Sequence, residues 1–468
     1  MNIRRIALIA ALSLVPFGCS DDEAPTPEPP GCAEGNEVGE ACAGVPSGKL
    51  CDGASCAPSS CSSVTTVTND AELSEAVANA NDGDCIILSP GNYAQLDMAA
   101  KGIGVFAEGP DSTSVGTVTT GGSGAEVRGV AATNVNVTGG DVRLSAVRIS
   151  GSPQDGVSVS AGASVTVEQS EIRQSGRYGV SAFDSGSVDL SYTIVEGTEG
   201  PGVWMQCGDT PCSCATDLQG AITHTVIANA KIVGLSIVDA SVTIDNVEVR
   251  DTTVGGNFEA GGGVSIAHCA DVMATDLRVL NSADFGILVH DSSFVMNGGQ
   301  VDNNLRGVWM QQIGASQAGA VASVTSVTLD GNLGVGIGVD GGSLDVSVSN
   351  STVSNTANIS LPVLVNGVSA ASEQVGDGFS WLGLSSVTLS SVTVENSART
   401  GLLIDGEVGA NSSIADLTLN ETGEKGNIIQ QNFVDGGTEP VTSGMVPPGI
   451  KTADELFAIP EDVVPPGI

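Results

Sequence analysis

Aromatic side chains are scarce in this chain: Phe, Trp and Tyr together make up only 3% of its 468 residues. A compact globular core is usually built with more aromatic volume than that. A stack of thin repeated layers needs no such volume, because Val, Ile, Leu and Ala can fill each layer. The composition, with 62 glycines, therefore favours one large elongated domain over two or three compact ones.

Basic residues are also few. The chain has 16 Lys and Arg against 54 Asp and Glu, which gives a formal net charge of −38. Such a field repels nucleic acids and anionic membrane surfaces, so neither is an expected partner. It also disfavours polyanions such as pectate or alginate unless bound cations reverse the field locally. The simplest interpretation of the charge is solubility of a surface protein.

Long apolar runs are absent beyond the N-terminus, so no membrane-spanning helix is predicted. Arg4 and Arg5 precede the short apolar stretch Ile6–Val15, and Cys19 follows a small residue. This pattern resembles a bacterial lipoprotein signal, which implies removal of residues 1–18 and lipidation of Cys19; ordinary secretion is the alternative.

The Pro- and Glu-rich residues 19–31 are then predicted to form a flexible tether. We therefore expect an exported protein that is lipid-anchored in a bacterial cell envelope, at the outer membrane or the cell surface. In this interpretation the anchor provides its only contact with the membrane.

Ten further cysteines fall into two even groups, as expected for disulfides in an oxidising compartment. Six lie near the N-terminus and four in the middle of the chain: Cys32, Cys42, Cys51, Cys56, Cys61 and Cys85, then Cys207, Cys212, Cys214 and Cys269. Residues 32–63 have little apolar content and are predicted to form a small module held by its bridges, whose pairing the sequence leaves open. The middle group superficially resembles a metal site, but its spacing matches no common zinc motif, so disulfides are favoured there too.

A helix is predicted at the start of the main domain. Asn69 followed by Glu72 resembles a capping box, and Leu73, Ala76, Val77 and Ala80 follow at helical spacing. A short strand and turn come next, at residues 83–93. A single amphipathic helix ahead of many strands is suited to cover the open end of a stack, where unpaired strand edges would otherwise invite association.

A glycine followed by an apolar-x-apolar strand then recurs, and we call these positions anchor glycines: Gly156, Gly179, Gly202, Gly234, Gly263, Gly286, Gly307, Gly336, Gly378 and Gly401. Four of the steps between them are 23 residues, with further short alternating strands in between. This period predicts a parallel β-solenoid of about a dozen coils over residues 64–435, followed by an irregular tail at 436–468.

Asparagines recur four or five residues before an anchor glycine, at Asn229, Asn281, Asn303 and Asn396. Stacked Asn side chains can bond along such a solenoid and satisfy buried turn carbonyls, so they are predicted to form a structural ladder. This repeat, together with the first strand, resembles the right-handed parallel β-helix of the pectin-lyase-like superfamily over residues 69–432. The resemblance implies an all-β, right-handed parallel β-helix; it leaves function open, because lyases, hydrolases, epimerases and non-enzymatic adhesins share that fold.

Two tryptophans, Trp204 and Trp309, occupy the middle, outward-pointing position of the anchor strands, where serine is the usual residue. An exposed indole could stack on a sugar ring, and two of them could hold an extended glycan chain. Alternatively, the inserted loop that follows each tryptophan folds back over it, and the indole is local packing.

Acidic and histidine residues cluster in the turn after the anchor strand: Asp184, Asp239, His268, His290, Asp291, Asp340 and Asp405. Stacked carboxylates in this turn are a candidate Ca²⁺ site, although no cofactor is required by the sequence. In pectate-lyase-like enzymes, which the fold resembles, such an ion bridges enzyme and uronate while Arg or Lys takes the proton. The alternative is that Asp is frequent there only because it accepts turn geometry.

The motifs of the best-known enzymes with this fold are missing, and Arg177, Arg306 and Arg399 lie at the opposite turn from the acidic cluster. Lyase chemistry needs a base and a charge neutraliser around one sugar, so this separation disfavours it. The sequence therefore favours a surface-anchored, non-catalytic scaffold that binds carbohydrate or another cell-surface partner. A polysaccharide lyase or glycoside hydrolase is the alternative, and a purely structural envelope protein is the third class.

Overall fold

The structure is a computed structural model. It describes residues 43–468 except 161, 209–217, 256–259, 314–319, 342–343, 366–367, 384, 406–408, 410, 421, 424–427, 432–440, 444–450, 453–458, 464 and 466–468. Residues 1–42, which include the predicted signal, tether and lipidated Cys19, lie outside this description. Among the described residues, no helix has the length and apolar character needed to cross a bilayer.

The described residues wind into a sheet of 40 strands in which each strand pairs in parallel with its counterpart one coil away. The pairing is in register: Val157 pairs with Val180, and Val180 with Val203. Each full coil contributes three strands, so three ladders run along the stack. We name them the anchor ladder, after the anchor glycines, the groove ladder, which comes next along the chain, and the short ladder, which completes the coil. The predicted parallel β-helix is confirmed.

Strands that belong to one ladder have the following bounds. The anchor ladder contains Val157–Val159, Val180–Phe183, Val203–Gln206, Ile232–Val238, Gly261–Ala267, Phe285–His290, Arg306–Gln312, Val335–Gly341, Asp377–Leu382, Thr400–Asp405, Ile428–Gln431 and Lys451–Thr452. The groove ladder contains Val64–Val67, Cys85–Leu88, Gly104–Ala107, Ala125–Arg128, Asp141–Ser145, Ser164–Glu168, Ser187–Ser191, Gln219–Thr223, Ser241–Asp245, Val321–Thr325, Asp345–Ser349, Ser386–Ser390, Ser413–Ala415 and Val441–Ser443. The short ladder contains Arg148–Ser150, Glu171–Arg173, Ile194–Glu196, Val226–Ala228, Glu248–Arg250, Thr328–Asp330, Thr352–Ser354, Thr393–Glu395 and Thr418–Asn420.

Five longer strands contribute to two ladders each: Gly91–Ala99, Thr113–Thr120, Ala131–Val137, Asp271–Leu280 and Ser293–Asp302. A separate antiparallel sheet lies beside the stack. It consists of a hairpin inserted between two coils, Ile359–Val365 and Val368–Val375, and a strand near the C-terminus, Ile459–Pro460.

Inward-pointing Val, Ile and Leu side chains form one continuous apolar core along the stack. From Gly156 to Gly378, a Cβ atom on an anchor glycine would lie 2.3–2.9 Å from the carbonyl oxygen of the next anchor glycine. At Gly263 it would also lie 2.2 Å from a methyl group of Val279, on the short ladder. Glycine is therefore required here by the close approach of backbone and facing side chain, which explains why it marks the repeat.

The predicted cap over the first coil is the helix Asp70–Asn79. The side chain of Asn69 accepts a hydrogen bond from the backbone N–H of Glu72 at 3.1 Å, as the capping pattern predicts. At the other end, Lys101 Nζ donates to three backbone carbonyls at 2.7–2.9 Å. Leu73 is buried against the first coils, so both ends and the apolar face of the helix are satisfied.

Residues 43–63 run along the outside of the stack: Gly44 N–H donates to the Tyr192 carbonyl at 2.8 Å, and Leu50 N–H donates to the Glu108 carbonyl, nearer the N-terminal end, at 2.7 Å. A disulfide between Cys51 and Cys56 closes the short 3₁₀ turn Gly53–Cys56. A second disulfide links Cys61 to Cys85, a residue of the groove ladder. Disulfide bonding of these four cysteines is confirmed, whereas Cys32 and Cys42 lie outside the described residues. The second bridge ties the described part of the predicted module, residues 43–63, to the first coils of the solenoid.

The four asparagines predicted to form the internal ladder lie one position too early. Asn229, Asn281, Asn303 and Asn396 are exposed, with φ values between 53° and 57°. Asn tolerates this left-handed conformation better than most residues, which explains its recurrence in the turn. Their bonds run along the outer surface, as when Asn396 Nδ2 donates to Asn355 Oδ1 at 3.1 Å.

The buried ladder is formed by the residue that follows the left-handed one. Asn304 and Asn332 are both 0% exposed, and the backbone and side-chain N–H groups of Asn304 both donate to Asn332 Oδ1. Asn304 also accepts from the Ser282 N–H at 2.8 Å and donates to the Val279 carbonyl at 3.3 Å. These bonds satisfy backbone groups that are buried in the turn.

The parallel ladders continue past residue 435, the predicted end of the solenoid. Val441–Ser443 extends the groove ladder and Lys451–Thr452 extends the anchor ladder. The chain then returns to the side of the stack, where Ile459–Pro460 pairs with the inserted hairpin. Within the segment predicted to be an irregular tail, the described residues therefore include three short strands, at 441–443, 451–452 and 459–460.

We predict that Asn304→Ala lowers the free energy of unfolding by about 1–3 kcal/mol, because it leaves the Ser282 N–H and the Val279 carbonyl buried without partners. The matched control is Asn303→Gly, at the exposed left-handed position, where the change should stay within about 0.5 kcal/mol. Urea unfolding followed by circular dichroism measures both. Equal losses in the two variants would contradict the assignment of the buried ladder to Asn304.

Candidate functional site

The outward face of the anchor ladder is closed around Trp309, which is 0% exposed. Its indole belongs to a second apolar cluster, outside the coils, with Leu361 and Val375 of the hairpin and Val463 near the C-terminus. The ring lies over Gly338 of the next coil, where a Cβ atom would be 2.2 Å from it. A sugar ring cannot stack on an indole that is covered in this way.

Trp204 is similarly withdrawn from solvent, with 6% of its surface exposed and its ring 5.7 Å from that of Tyr178. The prediction of Trp204 and Trp309 as open sugar-binding platforms was therefore wrong, because both indoles are packed. The packing partners are not the loops that were expected: Trp309 lies against the hairpin and Val463, and Trp204 lies against Tyr178. Most of each inserted loop lies outside the described residues.

A glutamine two residues after each tryptophan was missed by the sequence analysis. The indole N–H of Trp204 donates to Gln206 Oε1 at 3.0 Å, and that of Trp309 donates to Gln311 Oε1 at 2.7 Å. Both tryptophans occur in the repeated motif Gly-Val-Trp-Met-Gln, and the recurrence of Gln on the same face was the available signal. The motif buries an indole without leaving its donor unpaired.

Three arginines that precede anchor glycines each pair with an aspartate 22 residues earlier, on the preceding coil. The pairs are Arg177 with Asp155 at 2.7 Å, Arg306 with Asp284 at 2.8 Å, and Arg399 with Asp377 at 2.5 Å. Burial raises the pKa of Asp284 and lowers the pKa of Arg306. These arginines join consecutive coils, which is a structural role. Their partner aspartates were also missed, although a spacing of one coil could have revealed them.

The residues of the acidic turn form a column along the stack. From Asp184 to Asp291, a carboxylate occurs in this column only on every second coil. The strand register places Cys207 on the coil between Asp184 and Asp239, and His268 on the coil between Asp239 and Asp291. Successive carboxylates are thus roughly 10 Å apart along the column. Asp184, Asp239, His268 and Asp291 all have φ between 48° and 52°, in the left-handed region that Asp tolerates in turns.

One group in this column does converge: ring nitrogens of His268 and His290 and a carboxylate oxygen of Asp291 lie within 4.8 Å of one another. The three residues are 9%, 7% and 3% exposed. His290 Nε2 is 3.4 Å from Asp291 Oδ2, and its Nδ1 is 2.9 Å from Gln311 Nε2. Burial lowers the pKa of both histidines, so both rings are held in the neutral form.

Asp340 lies on the same face two coils beyond His290 and faces the returning C-terminal segment. Burial, together with the nearby carboxylates of Asp462 and Asp405, raises the pKa of Asp340 to about 8. Gln311 holds the same segment through its main chain: its Oε1 accepts from Val463 N–H at 3.0 Å and its Nε2 donates to the Val463 carbonyl at 2.5 Å. The segment is therefore docked beside an acid that must stay protonated.

The middle cysteines are disulfide-bonded where the structure describes them, namely at Cys207 and Cys269. Cys212 and Cys214 lie outside the described residues. Disulfide chemistry was the favoured prediction for this group, and it is confirmed for the two described members. Oxidised sulfurs are not available as thiolate ligands for a metal ion.

An open surface lies on the outward face of the groove ladder. Two adjoining shallow depressions, about 300 and 470 Å³ in volume, share Ser187 and cross seven consecutive strands from Gly124 to Met273. Together they make a groove roughly 29 Å long. Its lining is of mixed polarity. The lining residues with polar side chains, many of them small hydroxyls, are Glu126, Asp141, Arg143, Ser164, Thr166, Ser187, Asp189, Gln219, Ser241, Thr243 and Asp271.

Asp189 lies near the centre of this groove, where its Oδ1 accepts a hydrogen bond from Ala221 N–H at 3.0 Å. Burial raises its pKa, and the backbone hydrogen bond partly offsets that effect. Arg143, towards one end, is paired with Glu168 at 2.7 Å. Met273, at the other end, is 57% exposed and supplies apolar surface. Sequence reasoning missed this groove because outward Ser and Thr residues are ordinary on a solvated strand face.

We predict that Trp309→Ala lowers the free energy of unfolding by about 3–5 kcal/mol, the usual range for removing a fully buried aromatic side chain. Thermal unfolding followed by circular dichroism measures the loss. Met273→Ala, at a half-exposed position, is the control and should change stability by less than about 0.5 kcal/mol. A loss for Trp309→Ala as small as that of the control would mean that the indole is exposed.

We predict that the stability of Asp340→Asn relative to the wild type increases as the pH rises from about 4 to 8. Over that window the folded state keeps a proton on Asp340 that the unfolded chain has released, so wild-type stability falls with rising pH. Asparagine has no proton to lose. Melting temperatures of both proteins across this range provide the test, with Asp345→Asn, on an exposed part of the stack, as the control. Parallel curves for Asp340→Asn and wild type would contradict the raised pKa.

Comparisons with known proteins agree with the coil architecture. A family model described as a right-handed β-helix region matches residues 113–266. A search of curated proteins returns no match. Similar solved structures include the catalytic unit of a thermostable α-1,3-glucanase from Streptomyces thermodiastaticus (15% identity, 71% of this chain and 68% of that one, TM-score 0.41), an alginate lyase from a Paenibacillus species (14%, 60% and 99%, 0.40) and the A-module of a mannuronan C-5 epimerase from Azotobacter vinelandii (12%, 76% and 93%, 0.33). These identities and TM-scores are too low to transfer an activity. The strand register and the family match together show that the chain folds as a right-handed parallel β-helix.

Proposed function

We propose that this protein is an exported, surface-anchored scaffold that binds a neutral glycan along the groove ladder without cleaving it. The observation that carries the proposal is the polar groove across seven strands, which is long, shallow and open. Its hydroxyl, carboxylate and amide groups recur at the strand spacing and offer hydrogen bonds to an extended ligand. The exposed side chain of Met273 adds an apolar contact at one end.

The charge of the groove favours a neutral polymer over a polyanion. Four carboxylates and one arginine line it: Glu126, Asp141, Asp189, Asp271 and Arg143. The arginine is already paired with Glu168, so a uronate chain would meet an acidic surface with its one lining cation engaged. Neutral sugars face no such repulsion and use the carboxylates as hydrogen-bond acceptors.

The isolation of Asp189, whose raised pKa would suit a general acid, favours binding over hydrolysis. Glycoside hydrolases use two carboxyl groups roughly 5–5.5 or 6.5–9.5 Å apart. Among the groove residues at the position equivalent to Asp189 on other coils, the nearest carboxylate is that of Glu126. It lies three coils away, at a distance of roughly 14 Å. Glu168, one coil away, is engaged by Arg143. One observation favours hydrolysis as the second candidate: the raised pKa of Asp189 is a usual property of a general acid.

Export and anchoring are part of the same proposal. The disulfides at Cys51–Cys56 and Cys61–Cys85 are supporting observations, because structural disulfides form in oxidising compartments. In the proposed arrangement, a lipid on Cys19 and the tether at 19–31 hold the solenoid at the surface of a bacterial envelope. The groove then faces glycans in the surroundings of the cell.

We predict that native gels cast with neutral polysaccharides, such as α-glucan, β-glucan, xylan and mannan, retard the protein for at least one polymer. Gels cast with alginate or polygalacturonate should not retard it. Asp189→Ala should weaken the binding roughly 10- to 100-fold, because a hydrogen bond to a charged group contributes about 1.5–3 kcal/mol.

The matched control is Asp345→Ala, an exposed aspartate on the same face of the stack outside the groove. It should bind like the wild type. Absence of retardation in every neutral gel, or equal weakening by the two variants, would contradict the groove as the binding site. Release of reducing ends from a retarding polymer by the wild type, lost in Asp189→Ala, would replace the scaffold by a hydrolase.

A further inference from the structure

The three converging side chains in the acidic turn have no role in the proposed groove. They lie on the turn between the anchor and groove ladders, on two consecutive coils: His268 on one, His290 and Asp291 on the next. Their nitrogen and carboxylate atoms fall within 4.8 Å of one another. All three are at least nine-tenths buried, so the group is an internal feature of the fold and not a solvated acidic patch.

His268 is the more informative of the two histidines. Its Nδ1 and Nε2 are both buried, and neither has a hydrogen-bond partner among the residues that the structure describes. Buried polar atoms in folded proteins are nearly always paired, and leaving one unpaired costs roughly 1–3 kcal/mol. An imidazole that faces another imidazole and a carboxylate with both nitrogens unpaired indicates a missing ligand.

The second indication is the contact between His290 and Asp291. The 3.4 Å between Nε2 and Oδ2 exceeds the ordinary 2.7–3.2 Å range of an N–H···O hydrogen bond. Two ligands of one tetrahedral ion, each about 2.0–2.1 Å from the metal, lie roughly 3.4 Å apart. The distance therefore fits two ligands of one ion better than it fits a hydrogen-bonded pair.

We propose that His268, His290 and Asp291 form a binding site for Zn²⁺ or a closely similar first-row divalent ion. Two imidazoles and one carboxylate are ligands that suit zinc, whereas Ca²⁺ takes six to eight oxygen ligands. The site is independent of the glycan groove and does not rest on it.

Metal binding has a consequence for the C-terminal segment, transmitted by Gln311. Its Nε2 now donates to His290 Nδ1, and its other bonds hold Trp309 and Val463. An ion on Nε2 of His290 leaves the ring hydrogen on Nδ1, so Gln311 must turn its amide to present oxygen there. That rotation breaks both bonds to Val463 and the bond from the Trp309 indole, so zinc should loosen the docked segment.

The test uses the full, disulfide-intact protein. Competition with a chromophoric chelator should show one Zn²⁺ per chain, and Co²⁺ should give the visible absorption of a tetrahedral site. His268→Ala should weaken zinc binding roughly 100-fold or more. The matched control is His224→Ala, since His224 is the remaining histidine of the chain and stacks on Tyr192.

Stability measurements keep the test decisive if a variant folds poorly. Removing the unpaired imidazole should leave the melting temperature without zinc unchanged or higher, and zinc should raise it for wild type and His224→Ala only. Amide exchange near Val463 should quicken when zinc is added to the wild type. Failure of the wild type to bind zinc, equal affinity in His268→Ala, loss of binding in His224→Ala, or binding of Ca²⁺ in place of Zn²⁺ would overturn the proposal.

Discussion

The in-register pairing of successive coils is the constraint on which the rest of this structure depends. Because each strand pairs with its copy one coil away, a residue meets the equivalent residue of the next coil at about 4.8 Å. The residue at a given position therefore either recurs at the equivalent position of the next coil or is paired with a complementary residue on a neighbouring coil. Glycine is repeated where backbones approach closely, at the anchor positions. A charged residue needs an oppositely charged partner on a neighbouring coil, as Arg399 has in Asp377 one coil earlier.

Features that depend on this repetition could be predicted from the sequence. The spacing of the anchor glycines predicted the coil length, the Asn69–Glu72 pattern predicted the N-terminal capping helix, and the even number of cysteines predicted disulfides. The asparagine ladder shows the limit of the method. A left-handed turn and a buried amide ladder both select Asn, and they occupy adjacent positions such as Asn303 and Asn304. Recurrence alone could not separate them, because only the direction of the side chain does.

The candidate site was harder to predict, because it depends on what covers each outward face. Alternation along a strand indicates which side chains point out of the coil, but it carries no information on what packs over them. Leu361 and Val463, which cover Trp309, are remote from it in sequence; the hydrogen bonds between Val463 and Gln311 span 152 residues. The indoles were therefore placed on the correct face and assigned the wrong environment. The hydroxyl-rich face that stays open had no distinctive residue to draw attention to it.

Arginines on both the closed face and the open face of the stack are held in ion pairs. On the closed side, Arg177, Arg306 and Arg399 are engaged by aspartates of the preceding coils. On the open side, the one arginine that lines the groove is engaged by Glu168. The field of a chain with a net charge of −38 is thus left uncompensated at the groove. In the proposed scaffold, selection of a glycan at the groove would therefore come from hydrogen-bond geometry repeated at the strand spacing and not from attraction between opposite charges.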